Sequence, residues 1–272
     1  MQTILLLVIS IIPAVILLWY FNKQDKGEKE PRKLMWKVFI WGVVAAIFAV
    51  IIELNIEDLY RYLGINPIET FWLYIFLTAF VTAAFVEEAV KLWVVKTRVY
   101  NNKNFNEVMD GITYTIIASL GFATFENIFY VMDGGFGIGI LRAVMSVPAH
   151  ALFSGIMGFY IGKAKFAKSS GQTTKLIFIG FAYAVFYHGL FDFLLFTQTA
   201  LMFLAIPLLV VMGLHLKSKI KLAYFHDHLT NREPRKLTIT RIVKVIIATI
   251  LILFGTASVI GSIMLTQDPT SG

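Results

Sequence analysis

The sequence contains no cysteine, which removes disulfides, thiolate metal sites and cysteine nucleophiles together and leaves the redox compartment undetermined. Charge is scarce too. Only 15% of the 272 residues are Asp, Glu, Lys or Arg, against about 25% in a soluble domain. Neither G-x-S-x-G nor H-E-x-x-H occurs, so the strained serine elbow and the helical zinc-protease motif are both missing. Internal repeats and low-complexity tracts are absent as well. The chemistry left to the chain rests on carboxylates, imidazoles and hydroxyls.

What is present is apolar: 58% of the residues are hydrophobic. They gather in runs of about 20, the length that crosses a hydrocarbon layer of about 30 Å at about 1.5 Å per helical residue. Runs at 2–21, 36–54, 71–95, 110–131, 141–163, 175–196, 199–216 and 241–265 predict an all-α, polytopic integral membrane protein of about eight transmembrane helices. The first run lacks the basic flank and cleavage site of a secretory signal, so it is expected to remain as a span.

The net charge of +7 sits in short polar links. Lys and Arg crowd loops 22–35, 96–109, 164–174 and 217–240, while the alternate loops hold little beyond Arg61. Positive residues mark the cytoplasmic side, so both termini are expected to be extracytoplasmic. A basic balance spent on topology argues against a nucleic-acid partner. The chain divides into a core at 1–216, a basic cytoplasmic link at 217–240, and an additional C-terminal helix with a short outer tail at 241–272.

Several residues do not belong in lipid. Glu87, Glu88 and Lys91 lie in the third run, and each costs about 2.5 to 3.5 kcal/mol at a helix centre. They must face protein or water. Lys91 is one turn from both carboxylates, so it reaches either; a packing ion pair is the plain alternative, though the second carboxylate makes it poor. The fourth run holds Glu126 and Asn127, readable as an interhelical clamp. In the fifth, His150, Ser154, Gly158 and Gly162 follow at i+4 steps, and in the sixth Gly180, Ala184, His188 and Asp192 do the same. Each face pairs an imidazole with small residues that admit a neighbouring backbone. Ser154 reads as packing, Pro148 as a kink beside His150, and Asp192 as the group that orients His188. At about 1.5 Å per residue, Glu126, His150, His188 and Asp192 fall in the outer half and Glu87 and Glu88 nearer the midplane. They are expected to converge on one outward-opening cavity.

Such a set suits peptide hydrolysis, with Glu87 or Glu88 activating water and His150 or His188 stabilising an oxyanion or moving a proton. Two histidines and a carboxylate also suit zinc, although they come from different helices. Intramembrane Glu, His and Asp build proton relays as well, so a proton- or cation-coupled transporter or channel is the competing class. A non-catalytic scaffold is the third.

In order and spacing, EEAVK (87–91), DGITYTIIASLGFATFEN (110–127), RAVMSVPAHALFSGIMGFYIGKAK (142–165) and HGLFD (188–192) resemble the PrsW family of intramembrane proteases. The Glu30-Pro31 pair after the first run is similar to that family's first loop. The resemblance covers roughly 1–215 and stops short of the last link and helix. It implies a glutamic-type intramembrane endopeptidase, related to the prenyl-protein CAAX endopeptidases. The implied catalytic set is Glu87, Glu88, Glu126, His150, His188 and Asp192, supported by Lys91, Asn127 and Arg142. It further implies a single-pass membrane substrate, such as an anti-sigma factor, cut near the outer boundary in regulated intramembrane proteolysis. The expected location is the bacterial plasma membrane, with no cofactor and no metal.

Overall fold

The computed structural model describes residues 2–24 and 30–228. The helix expected at 241–265 and the link from 229 onward lie outside the described residues. Within them the chain is helical throughout: α1 (Gln2–Gln24), α2 (Arg32–Tyr62), α3 (Phe71–Leu77) running through a π-helical segment (Thr78–Phe85) into α4 (Val86–Arg98), α5 (Val108–Val144), α6 (Ser146–Lys165), α7 (Ser170–Phe196) and α8 (Ala205–His228). Six apolar stretches are long enough to cross a membrane, and the longest, 108–165, folds back on itself as α5 and α6. The protein is a multi-pass membrane protein.

Its polarity is inverted relative to a soluble bundle. Ile4, Trp19, Phe178, Val210 and Leu214 face outward, while Glu88, Lys91, Asn127 and Ser154 are fully buried. Lipid solvates the former, and only protein partners satisfy the latter. The α5 helix is central, packing against α1, α2, α4, α6 and α8 through Ile112, Ile116, Ile117, Leu120 and Phe122.

Close backbone approach explains the small-residue faces. A methyl group added at Gly158 would collide with the Gly111 carbonyl, and one at Gly162 with that of Val108. That pairing makes α5 and α6 antiparallel and seats His150 and Ser154 against α5. Van der Waals contact at this range replaces the hydrophobic drive that lipid cannot supply.

Four expected boundaries move. The α2 helix continues past 54 to Tyr62, and the extension carries Glu57. The fourth span runs on to a break at Gly135, whose φ of 74° suits glycine alone, and residues 136–144 lead back to the bundle. The chain then turns at Met145, so α6 starts only at Ser146 and Pro148 is its third residue. Pro148 has no N–H for the Val144 carbonyl, and the break at Met145 lies within one turn before it, where the expected kink falls. At the other end, α8 extends beyond 216 to His228. There Asp227 accepts hydrogen bonds from the Val108 and Met109 amides at 2.8 and 3.1 Å, capping α5 from the far end of the sequence.

Candidate active site

Glu87 and Glu88 open α4 directly after the π-helical segment. Lys91 lies one turn on, and its ammonium nitrogen contacts Glu87 Oε2 at 2.9 Å, Glu88 Oε1 at 2.7 Å and His150 Nδ1 at 3.0 Å. An ammonium has three protons and no acceptor. His150 Nδ1 must therefore accept, which puts the ring proton on Nε2, 2.8 Å from Glu126 Oε2. Geometry thus assigns His150 as the neutral Nε2–H tautomer.

Glu126 Oε1 is 3.4 Å from Arg142 Nη2. Arg142 Nε donates to Asn127 Oδ1 at 2.8 Å, and Asn127 Nδ2 donates to the Ser10 carbonyl at 3.2 Å. The Tyr130 ring lies 4.0 Å from the guanidinium. Asn127 and Arg142 thereby orient Glu126, and they tie the site to α1.

On α7, His188 places Nδ1 3.1 Å from Glu88 Oε1 and Nε2 3.1 Å from Asp192 Oδ2, with Glu87 Oε2 at 3.9 Å. Its ring stacks on Phe153 at 4.4 Å. Both nitrogens face carboxylate oxygens, a pattern fully satisfied when both carry protons.

The structure brings all six candidate residues and their three supporting ones into one network. It also separates the two adjacent glutamates. Glu87 lines a cavity of about 220 Å³ with Glu126, Arg142, His150, His188 and Asp192, among Phe122, Phe125, Phe153 and Phe191. Glu88 and Lys91 sit behind it, each 0% exposed.

Four further residues belong to the arrangement. Ser154, expected to pack only, lies 3.1 Å from Glu88 Oε2 and 2.9 Å from Ser119 Oγ, while Ser119 donates to the His150 carbonyl at 2.9 Å. Ser119 precedes Glu126 by seven residues, two turns back on one face, a spacing that marks it. Glu53 and Thr78 line the cavity from α2 and the π-helical segment. Glu53 is an ionisable group within an apolar run, the same signal that singled out Glu87.

Glu87, Glu88 and His150 also offer donor atoms all within 4.8 Å of one another, a carboxylate and imidazole set suited to a divalent ion. The Lys91 ammonium stands between them and hydrogen-bonds to all three. Metal bonds of about 2.0–2.2 Å to these atoms require that ammonium to leave. As arranged, Glu87 Oε2, Glu88 Oε1 and His150 Nδ1 fit a resident lysine and not a metal.

A family model described as "PrsW family intramembrane metalloprotease" matches residues 30–215. Among curated relatives, a Protease PrsW of Geobacillus kaustophilus is 39% identical over 188 residues, 68% of this chain and 77% of that protein. The Protease PrsW of Clostridioides difficile is 31% identical over 70% of this chain and 79% of its own length. That of Bacillus subtilis is 32% identical over 74% and 87%. No solved structure matches.

Proposed function

The chain belongs to the PrsW family of intramembrane proteases, and from that premise we propose that it is a glutamic-type endopeptidase in which Glu87 activates the attacking water. The observation that carries this reading is the division of labour between neighbours: Glu87 faces the cavity, and Glu88 is sealed behind it with Lys91. Lys91 supplies the positive charge that keeps two adjacent carboxylates together.

In the proposed reaction, Glu87 removes a proton from water as its oxygen attacks the scissile carbonyl carbon. The C=O electrons move onto oxygen, and an N–H of His188 or His150 stabilises the oxyanion. Glu88 and Asp192 hold His188 at its two ring nitrogens and Glu126 lies against His150, so each ring is oriented beforehand and the N–H that serves the oxyanion is shared with its carboxylate as the charge develops. When the C–N bond breaks, the proton held by Glu87 passes to the leaving amine, giving a carboxyl and an amine terminus. No step is routed through a metal, since Lys91 occupies Glu87 Oε2, Glu88 Oε1 and His150 Nδ1.

The positive-inside pattern supports an orientation with the N-terminus and the cavity on the outer side. The substrate is then a single-pass membrane protein, of the anti-sigma type, cut near its outer boundary in the plasma membrane. Family membership does not favour the transporter reading. The deciding experiment profiles new protein N-termini in membranes of cells carrying wild type or Glu87→Gln at matched levels. Termini confined to wild type and clustered at outer membrane boundaries are expected; identical profiles would overturn the proposal.

A further inference from the structure

Among the described residues, two polar atoms on the cavity wall have neither a hydrogen-bond nor an ion-pair partner. Glu53 Oε1 and Thr78 Oγ1 are buried without a hydrogen-bond partner, and both residues line the cavity. Glu126 Oε2 and Arg142 Nη2, also on that wall and also without a hydrogen bond, have close neighbours in His150 Nε2 at 2.8 Å and Glu126 Oε1 at 3.4 Å. Other helical threonines are satisfied locally: Thr115 donates to the Gly111 carbonyl at 2.6 Å, Thr124 to Leu120 at 2.7 Å and Thr97 to Trp93 at 2.7 Å. Even Thr82, on the same π-helical segment as Thr78, donates to Tyr60 Oη at 3.1 Å. Thr78 and Glu53 differ from these, and both line the same cavity.

An unsatisfied buried polar group is costly, and one retained beside a functional cavity calls for a ligand that completes it. The reaction itself presents such a ligand. A transmembrane segment whose scissile bond reaches Glu87 must leave its helical hydrogen bonding, which frees amide N–H and carbonyl groups where water is scarce. A carboxyl oxygen accepts from an N–H and a hydroxyl donates to a C=O. That is the complement of an extended backbone.

Building on the protease reading, we infer that Glu53 and Thr78 form a substrate-positioning rail, accepting an amide N–H and donating to a carbonyl of the unwound segment. Because the rail reads backbone, it admits any single-span segment able to unwind at the bond, with little regard for the side chains there. It holds the strand on the wall built by α2 and the π-helical segment while Glu87 attacks. Neither residue touches the reacting atoms.

The test uses the full chain, expressed at matched levels, with the yield of wild-type-specific N-termini as readout. Glu53→Leu and Thr78→Val each lower that yield about tenfold, the scale of one lost hydrogen bond with its partner left unpaired. Glu53→Gln and Thr78→Ser keep the acceptor and the donor, and stay within about twofold of wild type. The thermal midpoints of the purified Leu and Val variants are unchanged or higher, because an unsatisfied polar group has been removed. The inference is overturned if the Leu and Val variants cleave like wild type, if yield and midpoint fall together, or if Glu53→Gln is as damaged as Glu53→Leu. That last outcome would mean recognition of a basic side chain. Identical profiles for wild type and Glu87→Gln would instead sink the protease reading itself.

Discussion

Lys91 decides how the site is wired. Its ammonium holds two carboxylates and an imidazole at 2.7 to 3.0 Å, so it acts as the resident cation of the buried network. Replacing it with Met strands two acidic groups without their cation, which costs about 3 to 5 kcal/mol and lowers the thermal midpoint measured in detergent. Chelators are expected to leave wild-type cleavage unchanged. Inactivation by a chelator that zinc reverses would show that the ammonium yields its place to a metal. The two glutamates should separate in kind. Glu87→Gln lowers the cleavage rate by about 10² to 10⁴-fold with little change in midpoint, because it removes proton transfer at the cavity face. Glu88→Gln lowers both, since Glu88 is bound at once to Lys91, His188 and Ser154. Equal midpoints for the two variants would argue against this division. The candidate residues were legible in the sequence because charge inside an apolar run has so few innocent explanations. Which glutamate faces the cavity was not, since adjacent residues on a helix differ by only about 100° and the cavity is made by other helices.

At the scale of elements, the π-helical segment Thr78–Phe85 leads into the catalytic turn. Such segments accommodate extra residues within an α-helix. Deleting the outward-facing Val81 should therefore return the segment to α geometry with the register of Glu87 nearly kept, because seven residues at about 100° each turn almost as far as eight in the wider π-helix. The expected product is a folded, helical protein that still cleaves, checked by circular dichroism beside the cleavage assay; loss of cleavage would show that the π-helical segment itself aims Glu87. Nothing in the apolar run TAFVTAAF announces this segment, since i+4 and i+5 bonding draw on the same residue types. The α5 and α6 contact, by contrast, was readable from the glycine spacing. Gly158→Val drives a side chain into the Gly111 backbone, and the variant should lose activity through misassembly, with a reduced midpoint. Pro148 was readable in the same way, since the helical run breaks at Met145, within one turn before it.

For the whole molecule, the absence of cysteine makes orientation directly testable. A cysteine at Ile68, 90% exposed between α2 and α3, should react with an impermeant maleimide on intact cells, and one at Lys103 only after permeabilisation; the reverse would invert the proposed topology. The last described turn of α8 lies beyond the family-matched segment 30–215, yet Asp227 caps α5. That junction illustrates where sequence reading stops. Composition and periodicity by themselves established a helical membrane protein, the approximate spans, and the residues too polar for lipid, because insertion energies act on one segment at a time. Tertiary structure alone decided that Glu87 meets the cavity while Glu88 does not, that Lys91 fills the centre of a metal-like cradle, and that Glu53 and Thr78 end up unpartnered on its wall. Those outcomes depend on distances between helices far apart in sequence, which are set by close packing at small residues and by where each helix bends or begins.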